Sequence, residues 1–158
     1  MSKLAIQDVA KVIGENGCLA FVYANIAETV MNEGWNPADF TCQLKLFADV
    51  FDGMYSKLLD DDCFVTDAEK YLHYLDNSHK YKVTKKDITS LAEVANSMGA
   101  VYFEYNGKGH WVGYSMGQIV FDSLTDSQCR KYGKPVSARV VEVIKWDIMN
   151  VIAITLKT

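Results

Sequence analysis

No apolar run in this chain approaches the roughly 20 residues that a membrane-spanning helix requires. Its start is not read as a secretory signal, because Met1-Ser2-Lys3 leads into a segment broken by Gln7, Asp8 and Lys11. A cytoplasmic protein without a membrane partner is the expectation. There is no excess of cations either: 16 Lys and Arg face 20 Asp and Glu, for a net charge of −4. That balance argues against a nucleic-acid partner. The one basic cluster, Lys80, Lys82, Lys85 and Lys86, reads as a solvated edge. The four cysteines, Cys18, Cys42, Cys63 and Cys129, include no Cys-x-x-Cys pair. Free thiols are expected rather than a disulfide framework. The spacing of Cys63, His73 and His79 fits no standard zinc pattern. Asp60-Asp61-Asp62 lacks the alternating ligands and final Glu of a calcium loop. Gly107-x-Gly109 has no following helix and no Lys-Ser/Thr, so it is not a phosphate loop. No metal and no cofactor is expected. Repeats, linkers and low-complexity stretches are also missing, so residues 1–158 read as one domain with a real core.

What is present centres on residues 109–122, Gly-His-Trp-Val-Gly-Tyr-Ser-Met-Gly-Gln-Ile-Val-Phe-Asp. Two β-branched and aromatic runs flank a Gly-bearing turn, the pattern of a β-hairpin. A three-residue loop Ser115-Met116-Gly117, with Gly117 in the left-handed position, closes on Tyr114 opposite Gln118. It then sets His110 opposite Asp122, on one face. A two-residue Met116-Gly117 turn instead pairs His110 with Ser123 and sends Asp122 to the other face. The three-residue loop is the preferred expectation. An isolated carboxylate on an apolar strand needs a partner, and His110 is the natural one. The bland alternative is that Asp122 only ends the strand and caps the 123–132 segment.

Far upstream, a polar Gly14-Glu15-Asn16-Gly17 loop runs into a helix with Cys18 at its first turn. A helix N-terminus favours thiolate, the nucleophilic form of cysteine. Cys18, His110 and Asp122 therefore have the residue types of nucleophile, base and orienter. Against this stands the ordinary role of a free cysteine as a small buried hydrophobe.

The remaining pattern predicts helices at 3–13, about 18–32 and 36–59. In the second, Leu19, Val22, Tyr23, Ile26 and Val30 form an apolar stripe. The third starts at Asn36-Pro37 and turns Leu44, Phe47, Ala48, Phe51, Tyr55 and Leu58 inward. A short strand at 63–65, a helix at 67–75, a strand near 81–83 and a helix at 86–97 follow. Strands are expected at 100–105, 136–146 and 150–156, with a short helix at 125–132. Asn106-Gly107 is a strong turn signal. Helices first and a largely antiparallel sheet afterwards make an α+β fold.

Two windows, about residues 14–30 and 108–123, and the order of the elements resemble the papain-like cysteine peptidases. The closest likeness is to their small bacterial branch, related to the peptidases that remove double-glycine leaders. Asn16-Gly17-Cys18-Leu19-Ala20 is similar to the nucleophile segment, His110-Trp111-Val112 to the strand that opens on the base, and Val120-Phe121-Asp122 to the strand that ends on the acid. The resemblance implies a papain-like domain in which Cys18 attacks, His110 moves the proton and Asp122 orients the ring. It implies a peptide or protein substrate, with Trp111 beside the catalytic histidine as a wall of the substrate groove. The family's Gly after the nucleophile is Leu19 here. Its oxyanion-donating Gln, about six residues before the nucleophile, is Val12 here, and Asn16 is the stand-in. Hydrolysis of a peptide or other amide bond is the first expectation; transfer to an amine or thiol uses the same residues. A second expectation is a non-catalytic interaction protein on the same scaffold, of the kind a phage encodes, that binds a protein partner through the groove.

Overall fold

The computed structural model describes residues 5–144. Four helices come first: α1 (Ile6–Asn16), α2 (Cys18–Met31), α3 (Phe40–Tyr55) and α4 (Ala68–Leu75). Strands follow: β1 (Lys80–Asp87), β2 (Met98–Tyr105), β3 (Lys108–Ser115) and β4 (Gln118–Phe121). A short 3-10 turn, Leu91–Val94, separates β1 from β2. Helix α5 (Gln128–Tyr132) and strand β5 (Lys134–Ile144) complete the described chain. The five strands form one sheet in the order β1-β5-β2-β3-β4, and every neighbouring pair is antiparallel. The fold is α+β, as the order of elements predicts. Among the described residues no helix is long and apolar enough to cross a membrane. The strand expected at 150–156 lies outside the described residues.

The sheet is covered on both faces. On one, Tyr81, Ala100, Phe121 and Val141 pack with Val22, Tyr23 and Ile26 of α2, Val50 of α3 and Leu72 of α4. On the other, Val101, Phe103, Val112, Tyr114 and Ala138 meet Val94 of the 3-10 turn and Cys129 of α5. Helix α2 is the centre of the first layer. Its residues Ala20, Val22, Tyr23, Ala24, Asn25, Ile26, Ala27 and Glu28 are all buried. The alanines keep the helix slim enough for neighbours on every side, as a helix apolar nearly all round requires.

Three expectations for the helices are corrected. The break predicted over residues 14–17 shrinks to Gly17 alone, since α1 continues through Gly14 to Asn16. Helix α3 starts at Phe40 with Asp39 as its N-cap, not at Asn36-Pro37. Asn36 instead closes a local turn, its side-chain oxygen accepting from the amide of Ala38. The buried face of α3 is Leu46, Asp49, Val50 and Gly53, whereas Leu44, Phe47, Phe51 and Tyr55 are exposed. Two polar contacts hold that turned orientation: Lys45 reaches Glu28 of α2 at 2.8 Å, and Tyr71 of α4 donates to the Asp49 carbonyl at 3.3 Å.

Two further expectations fail between α3 and β2. Residues 63–65 form no strand; Leu59 and Val65 make only an isolated bridge, and Cys63 sits at φ 65°. The helix expected over 86–97 is replaced by the end of β1 and the 3-10 turn. A complete capping box closes that turn: Ser90 accepts from the backbone, and the Glu93 carboxylate accepts the amides of Thr89 and Ser90. With Ser90 capped and β1 running on through Asp87, four residues are all that remain helical.

Candidate active site

The β3–β4 hairpin is built differently from the preferred expectation, yet it delivers the same pair. Its loop is the two-residue Met116-Gly117 turn, with Ser115 opposite Gln118 and both turn residues at positive φ (52° and 75°). This is the type I′ geometry that matches strand twist. The loop is anchored where Met116 donates its amide to the Ser97 carbonyl at 2.8 Å. An uninterrupted ladder from this turn places Asp122 opposite Trp111, on the wrong face. A β-bulge intervenes: Tyr114 pairs with Ile119, but Gly113 pairs with Phe121, leaving Val120 extra. Ile119 and Phe121 are two residues apart and yet pack into cores on opposite faces of the sheet, which only such an extra residue allows. The residue after Phe121 therefore turns to the face of His110.

There the His110 Nε2 and an Asp122 oxygen are 2.7 Å apart, and both side chains are nearly buried. The Asp122 carboxylate also accepts the amide of Leu124 at 2.9 Å and a guanidinium N–H of Arg130 at 3.4 Å. Arg130 stands on α5, which Ser127 caps at the Arg130 amide. Sequence reasoning missed Arg130, because nothing in an eight-residue separation ties it to Asp122 before α5 folds back.

Helix α2 brings the third residue. Val22 lies over Gly113 of β3, where a Cβ would come within 3.6 Å of the Val22 Cγ1. From Val22 back to Cys18 is about 6 Å along a helix. From Gly113 back to Trp111 is about 6.8 Å along a strand. The two rises nearly match, so Cys18 arrives beside Trp111 and His110. Strand β4 pairs with β3 only from Gly113 onward. The edge of β3 over 108–112 is thus open on that side, and Cys18 comes close enough to the Trp111 amide and the His110 ring for both to lower its pKa. Gly17 permits the tight junction between α1 and α2: a Cβ there would sit 2.5 Å from the Ile13 carbonyl oxygen.

The site's electrostatics follow from these contacts. Burial opposes ionisation of Cys18, but the His110 hydrogen bond, the Trp111 amide, the His110 charge and the Leu19 amide outweigh it and hold the thiol below its ordinary pKa. Burial likewise opposes the imidazolium, yet hydrogen bonds to Cys18 and Asp122, and their charges, raise the pKa of His110. Both shifts run in the direction that favours a thiolate–imidazolium pair. Burial pushes Cys63 the other way, to about 12, reinforced by Asp60 and Cys18. Cys129 is buried and donates to the Lys108 carbonyl. All four described cysteines are free thiols.

A groove of about 540 Å³ runs beside Cys18, between Leu19, Cys63 and Val65 on the helical side and Tyr102, Trp111 and Arg139 on the sheet. Asn16, the last residue of α1, lines it next to Cys18. Trp111 packs against Tyr102 in a tilted arrangement with ring centroids 5.0 Å apart, and the Arg139 guanidinium lies over the Trp111 ring at 4.9 Å. Gly109 makes room for this wall, since a Cβ there would meet the Tyr102 hydroxyl at 1.6 Å. Lys85, read from the sequence as part of a solvated edge, lines the groove as well. His79 is bonded to the buried Asp76 at 2.8 Å, and among the described residues no three His, Cys, Asp or Glu side chains gather as a metal site. In comparisons with protein-family models, curated proteins and solved structures, nothing matches this chain.

Proposed function

We propose that the protein is a cysteine hydrolase acting on a peptide or other amide bond, built in the manner of the papain-like peptidases. One observation carries this reading: Cys18, His110 and Asp122 come from α2, β3 and the end of β4, and they converge, His110 being hydrogen-bonded to Asp122 and the neighbour that most lowers the pKa of Cys18, which lines the groove. A structural cysteine needs no such company.

In this reading the Cys18 thiolate attacks the carbonyl carbon, and the C–N bond breaks as His110 gives its proton to the leaving amine. Water then takes the amine's place. His110 accepts a proton from it, the hydroxide attacks the acyl-sulfur carbonyl, and the thiolate leaves. Asp122 holds Nε2, which leaves Nδ1 as the ring nitrogen for Cys18. The oxyanion donors are the Cys18 amide and the Asn16 carboxamide. Losing one such donor costs about 10²–10³-fold in the chemical step.

A second reading, an interaction protein on the same scaffold, is favoured by Leu19. Its side chain lines the groove where the family carries Gly.

The test is the pH-dependent alkylation of wild type and His110→Ala by iodoacetamide, mapped to each cysteine by mass spectrometry. The expected result is that Cys18 alone reacts well below neutral pH and that His110→Ala removes this advantage. A Cys18 that titrates like a free thiol near about 8.5, with no response to His110→Ala, leaves the groove as a binding surface only.

A further inference from the structure

On the sheet wall of the groove, Lys85 of β1 and Arg139 of β5 are directly opposed in the antiparallel register. Directly opposed side chains share a face, with Cβ atoms about 4.5–5.5 Å apart, and like charges in that position repel. Here, among the described residues, no carboxylate oxygen lies within ion-pair distance of either cation. Arg139 donates to the Ala138 carbonyl at 3.3 Å and rests on Trp111. The nearby acids are otherwise placed. Asp87 lines the groove opposite Ser137 and makes no ion pair, and Glu15 pairs with Lys11. A second cavity, of about 410 Å³, shares Leu19, Val65, Lys85 and Arg139 with the first. Its acids are Asp67, which caps α4, and Glu69, which accepts the Val83 amide. The two cations thus stand where the two cavities join, with Cys18 lining the first.

We propose that Lys85 and Arg139 form a carboxylate-binding subsite, so that the groove takes peptides carrying an acidic group within a few residues of the bond presented to Cys18. This rests on the hydrolase reading and extends it to substrate class. The anion relieves the repulsion between the opposed cations, while Trp111 holds the guanidinium at the edge of the groove. The carboxylate has two sources, an Asp or Glu side chain or the free C-terminus of the substrate.

The test uses acetyl-tripeptide chloromethyl ketones with Glu at each position in turn, each against its Gln counterpart. Bromoacetyl-Gly-Gly with a free carboxylate, against its amide, covers the second source. Second-order rates at Cys18 are read by mass spectrometry for wild type, Lys85→Gln and Arg139→Gln, each normalised to iodoacetamide. In at least one pair the acidic probe is expected to react about 2- to 5-fold faster than its neutral twin, as an exposed charge contact allows. Raising the salt and either substitution should shrink that normalised ratio. Ratios near one in every pair, with iodoacetamide still selecting Cys18, overturn the subsite and leave the hydrolase reading standing. Where iodoacetamide does not select Cys18, calorimetric titration with the same peptides as unreactive amides decides the subsite independently. Tighter binding of Glu than Gln peptides, lost in Arg139→Gln, upholds it; equal binding rejects it.

Discussion

Replacing Asp122 with Asn removes one charge and almost no volume. Its carboxylate accepts the His110 Nε2–H at 2.7 Å and the Leu124 amide at 2.9 Å, and its side chain is only 7% exposed. The Asn oxygen can still accept one of these bonds, so the hairpin end keeps its shape. What is lost is the difference between a charged and a neutral acceptor, about 1–2 kcal/mol in a site little screened by solvent. Of the two protonation states of the ring only the imidazolium gains from that charge, and the Arg130 contact is common to both, so the difference falls on the thiolate–imidazolium form. At a pH below the alkylation midpoint, Cys18 in Asp122→Asn should therefore react about 5- to 30-fold more slowly, since about 1.36 kcal/mol is tenfold. The midpoint itself should move upward. The sign follows from both partners: the Cys18 pKa is lowered and the His110 pKa raised by their contact, and weakening the imidazolium moves each back toward its ordinary value. The assay is iodoacetamide alkylation from about pH 4 to 9, a range that spans the ordinary His and Cys values, with peptide-level mass spectrometry and with circular dichroism to check that the variant is folded. A folded Asp122→Asn whose Cys18 profile overlays that of wild type would show that the carboxylate does not act through the ring.

Gly17→Ala should destabilise the chain by about 1–3 kcal/mol, because the new methyl meets the Ile13 carbonyl at 2.5 Å and backbone must move; thermal unfolding measures it, and an unchanged midpoint contradicts the tight α1–α2 junction. Asp49 is pushed up to about 7, first by burial and then by the neighbouring Glu28, against the pull of Lys45. A carboxyl with a raised folded pKa holds its proton longer in the native state than in the unfolded chain, so its contribution weakens as pH rises from about 4 toward 7. Unfolding midpoints of wild type should accordingly fall across that window relative to those of Asp49→Asn. Parallel pH curves for the two proteins would exclude a role for Asp49.

Much of the site is legible in the sequence because it rests on local pattern. The Gly-bearing hairpin, the need of Asp122 for a partner and the placement of Cys18 at a helix start are all short-range facts. The His110–Asp122 contact is present even though the loop is a different one. A three-residue loop and a two-residue turn with one bulged residue leave Asp122 on the same face, two residues apart in register, and nothing in Ile119-Val120-Phe121 marks the bulge. Helix α3 misleads for a different reason. Phe40, Leu44, Phe47, Phe51 and Tyr55 repeat at helical spacing and are more apolar than the face that is buried. Periodicity reports an apolar stripe, but the contacts of Lys45 with Glu28 and of Tyr71 with Asp49 decide which stripe faces α2 and α4. Arg139 and Lys85 are illegible as a pair because their opposition exists only once β5 is inserted between β1 and β2.

The bulge also sets how the hairpin tolerates changes of length. Val120 is the one residue that the β3–β4 ladder does not count, and its side chain is half in solvent. A lineage that lost Val120 would straighten β4 and keep Asp122 on the same face as His110. Losing one further residue from the same strand would turn the carboxylate away. The His110–Asp122 contact thus carries a single residue of slack, stored at an exposed valine, before a deletion takes the carboxylate away from the ring.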